Sequence, residues 1–427
     1  MADIAVIGAG YVGLTTGTCL AHLGHNVTIA DIDEIKVQEL NEGEVPIFEP
    51  GLSELLTEGI ENGNLKFVVG AVSASRNAAF HFLCLPTPPN PDGSTNMEFF
   101  SSAIEEIKDI LPLNSVIVNK STLPVGTASQ LKKQIQRTDV EIVSNPEFLS
   151  EGNAVQDFLH PSRIVIGAES QEAATRVAAL FSDIDATTQI TGTESAELIK
   201  HTANAFLAMK LTFINEIATL CELVGANVLD VAEGIGYDPR IGSTYLRPGP
   251  GWGGSCFPKD SASLLQTANK AGFDFELLEK AITLNTTHLQ RTAQKVIDAL
   301  PEGKEIEKSK IAVLGLTFKA GTDDLRSSPS LAVIEYLLDL NAHVSAYDPM
   351  VNLPIEDMSK IEITSTAYEA ANNADVLVIL TEWEEFADLN YERIHEAMCH
   401  PVVVDARNLL NPQDLEQQGF QYIGLGQ

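Results

Sequence analysis

The residue of this chain that most invites a chemical explanation is Cys256, set in the stretch GPGWGGSCFPKD at 249–260. Gly249, Gly251, Gly253 and Gly254 let the backbone bend tightly and approach another group closely. No periodic apolar pattern surrounds the cysteine, so it does not read as a small packing hydrophobe. Lys259 follows three residues on, where an ammonium favours the thiolate, and Asp260 comes next. A second constellation lies at the start, where Gly8, Gly10 and Gly13 follow the apolar run Ile4–Ile7. Glycines so placed give a tight turn, close approach of a pyrophosphate and close helix–strand contact, while the helix N-terminus attracts phosphate. Asp31 ends the next apolar run, where a carboxylate accepts from a ribose 2′-hydroxyl and repels a 2′-phosphate, selecting NAD over NADP. A third set, Lys200, Asn204 and Asn215, forms a polar stripe on an otherwise apolar helical stretch. Lys200 and Asn204 stand one turn apart, so both side chains can address one point.

These residues need elements to position them. Strand-like runs at Phe80–Leu85, Ser115–Asn119 and Glu141–Ser144 end in LPTPPNPDG, KSTLPVGT and NPEFLSEG. Ligands in open parallel sheets bind beyond the carboxyl ends of strands, so these loops should border one crevice. At 310–349 the opening theme recurs: Ile311–Gly315 matches Ile4–Gly8, and AHVSAYD matches GHNVTIAD. The first loop of this second unit is longer and carries Lys319 and Arg326 in place of GxGxxG, which suits an anion held by side-chain cations. Between the two, TGTE at 191–194 fits a capping box. Helical apolar spacing then continues to about Leu223, longer than an ordinary helix. The expected fold is α/β: two Rossmann-like doubly wound domains joined by a long central helical region. The expected boundaries are 1–190 for a dinucleotide-binding domain, 191–300 for the helical domain with the cysteine loop, and 301–427 for the second Rossmann-like domain. So long an apolar helix in a small segment calls for cover by a second copy, so a homodimer or higher homo-oligomer is expected.

The 427 residues carry 59 acidic and 27 basic side chains, a net charge of −32. That balance disfavours nucleic acid and anionic membrane as partners. The N-terminus runs straight into a strand pattern without a signal-type stretch, and no apolar run is long enough for a membrane helix. Five dispersed cysteines, no CxxC pair and no HExxH spacing argue against a disulfide framework and against a metal site. A reducing cytoplasm is the expected setting.

The motifs GAGYVGL, PTP, KSTLPVGT, NPEFLSEG, ELIKHTANAFLA, FINE, GPGWGGSCFPKD and GLTFKAGTDDLRSSPS stand in one order along essentially the whole chain. In this the sequence resembles the UDP-glucose/GDP-mannose dehydrogenase family. The resemblance implies NAD-dependent oxidation of a nucleotide-sugar C6 alcohol to a carboxylate, through a thiohemiacetal and a thioester on Cys256. A thiol serves because an aldehyde itself carries no extra oxygen to become an acid, and covalent attachment supplies a carbon that can lose a second hydride. By position, Lys200 and Asn204 are implied to steady the oxyanion, and Thr122, Glu151 and Asp260 to handle water and protons. Gly8, Gly10, Tyr11, Val12, Gly13, Asp31, Lys36 and Thr87 match NAD contacts, with Thr122 and Glu151 bordering them. Glu147, Gly253, Lys319 and Arg407 match substrate-side positions, and Arg240 matches one that reaches the substrate of a neighbouring subunit. Ser255 and Phe257, beside the cysteine, favour UDP-glucose over a UDP-N-acetylhexosamine or GDP-mannose. Trp252 stands where the family usually has Phe. A two-electron hydroxy-acid dehydrogenase is the alternative with a shared Rossmann start, but it has no use for the cysteine loop. A redox-dead nucleotide-sugar sensor is the alternative of another class.

Overall fold

The computed structural model describes residues 1–351, 355 and 359–427, and the chain divides into two compact units. The first comprises 1–203 with 262–274; the second comprises 204–261 with 275–427.

Short β-branched runs that are apolar on both faces become the central strands of a covered sheet. In the first unit these are β1 (Asp3–Ile7), β2 (Asn26–Asp31), β3 (Leu65–Val69) and β4 (Phe80–Leu83). They are followed by β5 (Val116–Asn119), β6 (Glu141–Ser144), β7 (Arg163–Ala168) and β8 (Thr187–Thr191). The sheet order is β3-β2-β1-β4-β5-β6-β7-β8, the Rossmann order extended by a final pair. Every pairing is parallel except β6 with β7. Alternate side chains enter opposite layers: Ile4 and Val6 join Leu14, Leu20 and Phe82 on one face, while Ile7 and Ile117 meet Phe100 and Ile104 on the other. Each such fully buried side chain contributes about 1.5–3 kcal/mol.

The second unit holds β9 (Lys310–Leu314), β10 (His343–Tyr347), β11 (Ile361–Ile363), β12 (Val376–Ile379), β13 (Val402–Asp405) and β14 (Gln421–Gly424). Their order, β11-β10-β9-β12-β13-β14, repeats the Rossmann pattern with parallel pairing throughout. The expected doubly wound α/β architecture is thus present twice.

The long helix runs from Thr193 to Val224, 32 residues. It does not start from the expected capping box: Thr191 is the last residue of β8, and the Glu194 carboxylate accepts from Ser129 Oγ and Thr193 Oγ1. A second helix, Glu276–Asp298, packs in the same unit as the later part of the long one. The chain end fastens that arrangement. Gly426 N donates to Glu222 Oε1 at 2.8 Å, Lys295 pairs with the same carboxylate at 2.9 Å, and Val228 N donates to Gly426 O at 2.8 Å. Among the described residues no helix is long and apolar enough to cross a membrane.

Candidate active site

In the first unit the glycine turn takes up its expected shape. Gly8 has φ +103°, and a Cβ there would lie 2.4 Å from the Cys84 carbonyl oxygen. A Cβ on Gly13 would lie 1.8 Å from Gly8 O. Gly10, by contrast, heads the helix Tyr11–His22 and would direct a Cβ into open space. That opening at a helix N-terminus fits a dinucleotide pyrophosphate, which a side chain would displace. Asp31 closes the other side: its Oδ2 accepts from Ala9 N at 2.9 Å and from Lys36 Nζ at 3.5 Å. Burial alone would push the Asp31 carboxyl up, but the Asp33 and Ala9 amides and the Lys36 ammonium hold it below the ordinary carboxylate value. It is therefore an anionic acceptor at neutral pH, suited to a ribose hydroxyl. Val12 packs on the first core beside this turn, and Thr87 is buried in the loop after β4.

Tyr11 has a second task. Its hydroxyl donates to the buried Glu49 carboxylate and accepts from Gly152 N at 2.9 Å. Glu49 also receives Gly152 N at 2.8 Å and Ala154 N at 2.7 Å. The pair ties the glycine turn to the loop carrying Glu151. Glu49 is a residue that sequence reasoning missed, since its partners Gly152 and Ala154 lie more than a hundred positions away.

The loops after β5 and β6 share their surroundings, as expected. Glu197 on the long helix receives Gly126 N at 2.6 Å, Ala128 N at 3.0 Å and Ser144 Oγ at 3.1 Å. His201 Nε2 meets Leu123 O at 2.8 Å. These bonds hold Thr122, itself half-buried, against the helix that bears Lys200. Lys200 Nζ meets Glu147 Oε1 at 2.9 Å with both side chains buried, and Glu147 Oε2 accepts from Leu149 N at 2.6 Å. Burying such a pair costs desolvation that good geometry only partly returns. Lys120 adds a second cation under the same field: its ammonium reaches Asn145 Oδ1 at 3.1 Å between the Phe158 and Phe181 rings. Burial pushes the Lys120 pKa down to about 8 against the pull of Glu147. Lys120 was also missed; a lysine opening a loop right after an apolar strand was the available signal.

In the second unit, Cys256 immediately precedes the helix Phe257–Lys270, whose first turn closes with Asp260 N donating to Cys256 O at 2.9 Å. The half-buried thiol thus sits at a helix N-terminus, where the backbone dipole favours a thiolate. Ser255 Oγ lies 3.5 Å from the sulfur. The Lys259 ammonium pairs with Asp260 Oδ1 at 2.6 Å. Asp260 is fully buried and its other oxygen accepts from Asn204 Nδ2 at 2.6 Å. Lys200 thus engages Glu147 in the first unit, and Asn204 engages Asp260 in the second.

The cysteine loop is pinned along its length. Asn215 Oδ1 accepts from Gly249 N at 3.0 Å and His288 Nε2 meets Gly249 O at 2.8 Å. Asn285 clasps the Trp252 backbone, accepting from its N–H and donating to its carbonyl, both at 2.9 Å. Gly253 and Gly254 are required by close approach: Cβ atoms there would stand 2.0 Å from Ser327 O and 2.8 Å from the Phe318 ring. Phe318 and Ser327 belong to the first loop of the second sheet, which thereby abuts the cysteine loop.

Arg407, just after β13, donates through Nε to Leu380 O at 2.7 Å and through Nη2 to Phe318 O at 3.4 Å, with Glu382 3.0 Å away. Lys319 holds its ammonium 5.7 Å from the centre of the Phe318 ring. The two cations are thus both gathered at Phe318. Arg326, the other expected cation, grips Asp324 with both Nε and Nη2 and is largely exposed. Arg240 likewise lies exposed, folded onto Asp238. No group of ligands that could hold a metal occurs among the described residues.

Comparison with known proteins gives the family. Profiles of the UDP-glucose/GDP-mannose dehydrogenase family match residues 2–185 as its NAD binding domain, 194–287 as its central domain and 312–412 as its UDP binding domain. The chain is 44% identical to the UDP-glucose 6-dehydrogenase of Rhizobium meliloti, over 99% of both chains. It is 40% identical to a Bacillus subtilis UDP-glucose 6-dehydrogenase, over 100% of this chain and 93% of that one. A solved UDP-glucose dehydrogenase from Pyrobaculum islandicum superposes with a TM-score of 0.90 at 31% identity, covering 100% and 98% of the two chains. The chain belongs to the UDP-glucose/GDP-mannose dehydrogenase family, as an oxidoreductase whose cofactor is NAD.

Proposed function

We propose that this chain oxidises the C6 hydroxyl of UDP-glucose to a carboxylate, using two NAD and a covalent link to Cys256. The observation that supports it most is the thiol at a helix N-terminus, in a loop pinned by Gly253, Gly254 and buried amides. Bound NAD supplies a hydride acceptor in each oxidation. The first oxidation leaves an aldehyde, whose carbon the Cys256 thiolate attacks to give a thiohemiacetal. Loss of a second hydride from that carbon gives a thioester, and water releases the acid and restores the thiol. Per sugar, one water is consumed and two NADH and three protons are formed. Asn204 and Lys200 serve as donors toward the oxyanion, Thr122, Glu151 and Asp260 serve the water and the protons, and Glu147 lies on the substrate side. Lys319, Arg407 and Gly253 serve the substrate side. On a chain of net charge −32, local cations are needed to offset repulsion of a nucleotide diphosphate. Names of curated relatives at 37–44% identity support UDP-glucose as the sugar nucleotide.

Purified protein given UDP-glucose and NAD should form two NADH per sugar consumed, with GDP-mannose and UDP-N-acetylhexosamines turning over far more slowly. One NADH per sugar, or preference for another nucleotide sugar, would overturn the reading.

The central segment 191–300 is proposed as the dimerisation domain. Phe206, Phe213 and Leu220 recur every seven residues on the long helix and are 59%, 54% and 50% exposed, with Leu223 and Val224 beyond them. A seven-residue apolar repeat suits packing against another helix, here that of a second copy, in which Arg240 would serve the neighbour. Sedimentation at micromolar protein should give a dimer or larger; a monomer with the helix intact would refute this.

A further inference from the structure

Trp252 stands four residues before the thiol, and its indole makes two contacts at once. The ring nitrogen donates to Thr212 Oγ1 on the long helix at 2.8 Å, with both residues buried. The Thr212 hydroxyl in turn donates to Ala208 O at 3.0 Å, so the indole bond completes a chain anchored in the helix backbone. The other contact is edge-on to the Phe257 ring, with centroids 6.5 Å apart and planes at 75°. Phe257 is bonded directly to Cys256, and its ring also meets Tyr245 at 6.2 Å.

We infer that Trp252 is a positioning residue for Cys256, a strut whose indole spans from Thr212 to the residue next to the thiol. A phenylalanine at 252 fills similar space yet has no N–H, so it can hold Phe257 but cannot lean on Thr212. The clasp by Asn285 fixes the Trp252 backbone; the indole bond fixes the direction of its ring, and with it the side of Phe257 that faces the loop. A misplacement of about 1 Å at a reacting atom is costly in rate, whereas ground-state binding of the nucleotide far from the thiol is untouched. The effect therefore belongs in kcat rather than KM. This inference rests on the proposed role of Cys256 as nucleophile.

The test uses Trp252→Phe, Thr212→Val, their combination, and Thr212→Ser. Steady-state kinetics with UDP-glucose are read beside the iodoacetamide alkylation rate of Cys256, followed by peptide mass spectrometry so that the other cysteines do not interfere. Loss of one buried hydrogen bond predicts about a five- to tenfold fall in kcat for either single variant, with KM within about twofold. The double variant should be no worse than the poorer single one, because both remove the same bond. Thr212→Ser should restore the wild-type values, and the alkylation rate should change in parallel with kcat. Unchanged kcat and alkylation with only a lower melting temperature would reduce the indole bond to a structural one and overturn the inference. Should alkylation change while turnover persists in Cys256→Ala, the strut stands and the nucleophile reading fails instead.

Discussion

The two Rossmann-like sheets begin with the same turn and put it to different use. Gly8 after β1 and Gly315 after β9 have φ of +103° and +98°, and each amide donates at 2.8 Å to a carbonyl of the next strand, Ala30 or Tyr347. Each second strand is closely followed or ended by an aspartate that reaches back to the first loop. Asp31 receives Ala9 N, Asp33 N and Lys36, and remains partly exposed. Asp348 is fully buried: its Oδ2 receives Leu316 N at 2.7 Å, Thr317 N and Oγ1 at 3.1 Å and Trp383 Nε1 at 3.3 Å, while Oδ1 takes Met350 N at 2.9 Å. Its lone pairs are spent inside the protein, so no ribose can use them. The same scaffold thus offers an open carboxylate and bare glycine backbone in one unit, and in the other a longer first loop with Lys319 on it and Arg407 after β13 beside it. Ligand choice lies in what fills the first loop, not in the strand order.

Removing the cations should separate the two sites most clearly. The double variant Lys319→Ala with Arg407→Ala should weaken UDP binding by about a hundredfold or more, each charge-assisted contact being about 1.5–3 kcal/mol. NAD affinity by titration calorimetry should stay within about twofold; an equal loss of NAD would break the contrast. Next, Asp31→Ala should lower NAD affinity by about tenfold and narrow the preference over NADP. The matching Asp348→Asn should leave both nucleotides alone but cost about 1–3 kcal/mol in urea unfolding, because buried donors lose their anion. Gly10→Ala should reduce NAD affinity by about tenfold without moving the melting temperature, since its Cβ meets no protein atom. Gly315→Ala should instead destabilise, with its Cβ 2.4 Å from that of Thr381.

A further contrast concerns the strand ends that follow. After β5 stands buried Lys120, with its pKa pushed down to about 8; at the end of β13 stands buried Asp405, with its carboxyl pushed up by burial. Between pH 8 and the ordinary lysine value of about 10.4, the unfolded chain holds a proton that folded Lys120 has released, so stability rises with pH. Below pH 8 the folded state carries the full cost. Lys120→Met should therefore stabilise at pH 7 by at most about 3 kcal/mol, with the gain shrinking toward pH 10, as read by urea unfolding. Between its ordinary and raised values Asp405 has the opposite slope, the folded state keeping the proton as the unfolded one loses it. A gain from Lys120→Met that grew with pH would contradict the assignment.

Much of this was legible in the sequence because it is local. The run Glu141–Ser144 gave its strand to the residue, and Asp31 fell at its strand end as expected. The strand expected at Phe80–Leu85 stops at Leu83, where Ser121 and Lys120 begin to bond the Leu83 carbonyl. The helix following Cys256 had a signal that was passed over: Pro258 and Asp260 suit a first helical turn. What stayed hidden depends on distant partners. Glu49 reaches Ala154, Glu197 reaches Gly126 and Thr212 meets Trp252, pairings that no single-sequence pattern encodes. Arg326 looked as good a cation as Arg407, and only folding shows it committed to Asp324.

The proposed reaction depends most on the sulfur of Cys256 carrying the half-oxidised sugar. Intact-protein and peptide mass spectrometry on enzyme acid-quenched during turnover with UDP-glucose and NAD tests this most directly. An acyl-sugar adduct should appear on the peptide bearing Cys256 and vanish in Cys256→Ser. Full two-NADH turnover by that variant, or an adduct on any other residue, would contradict it.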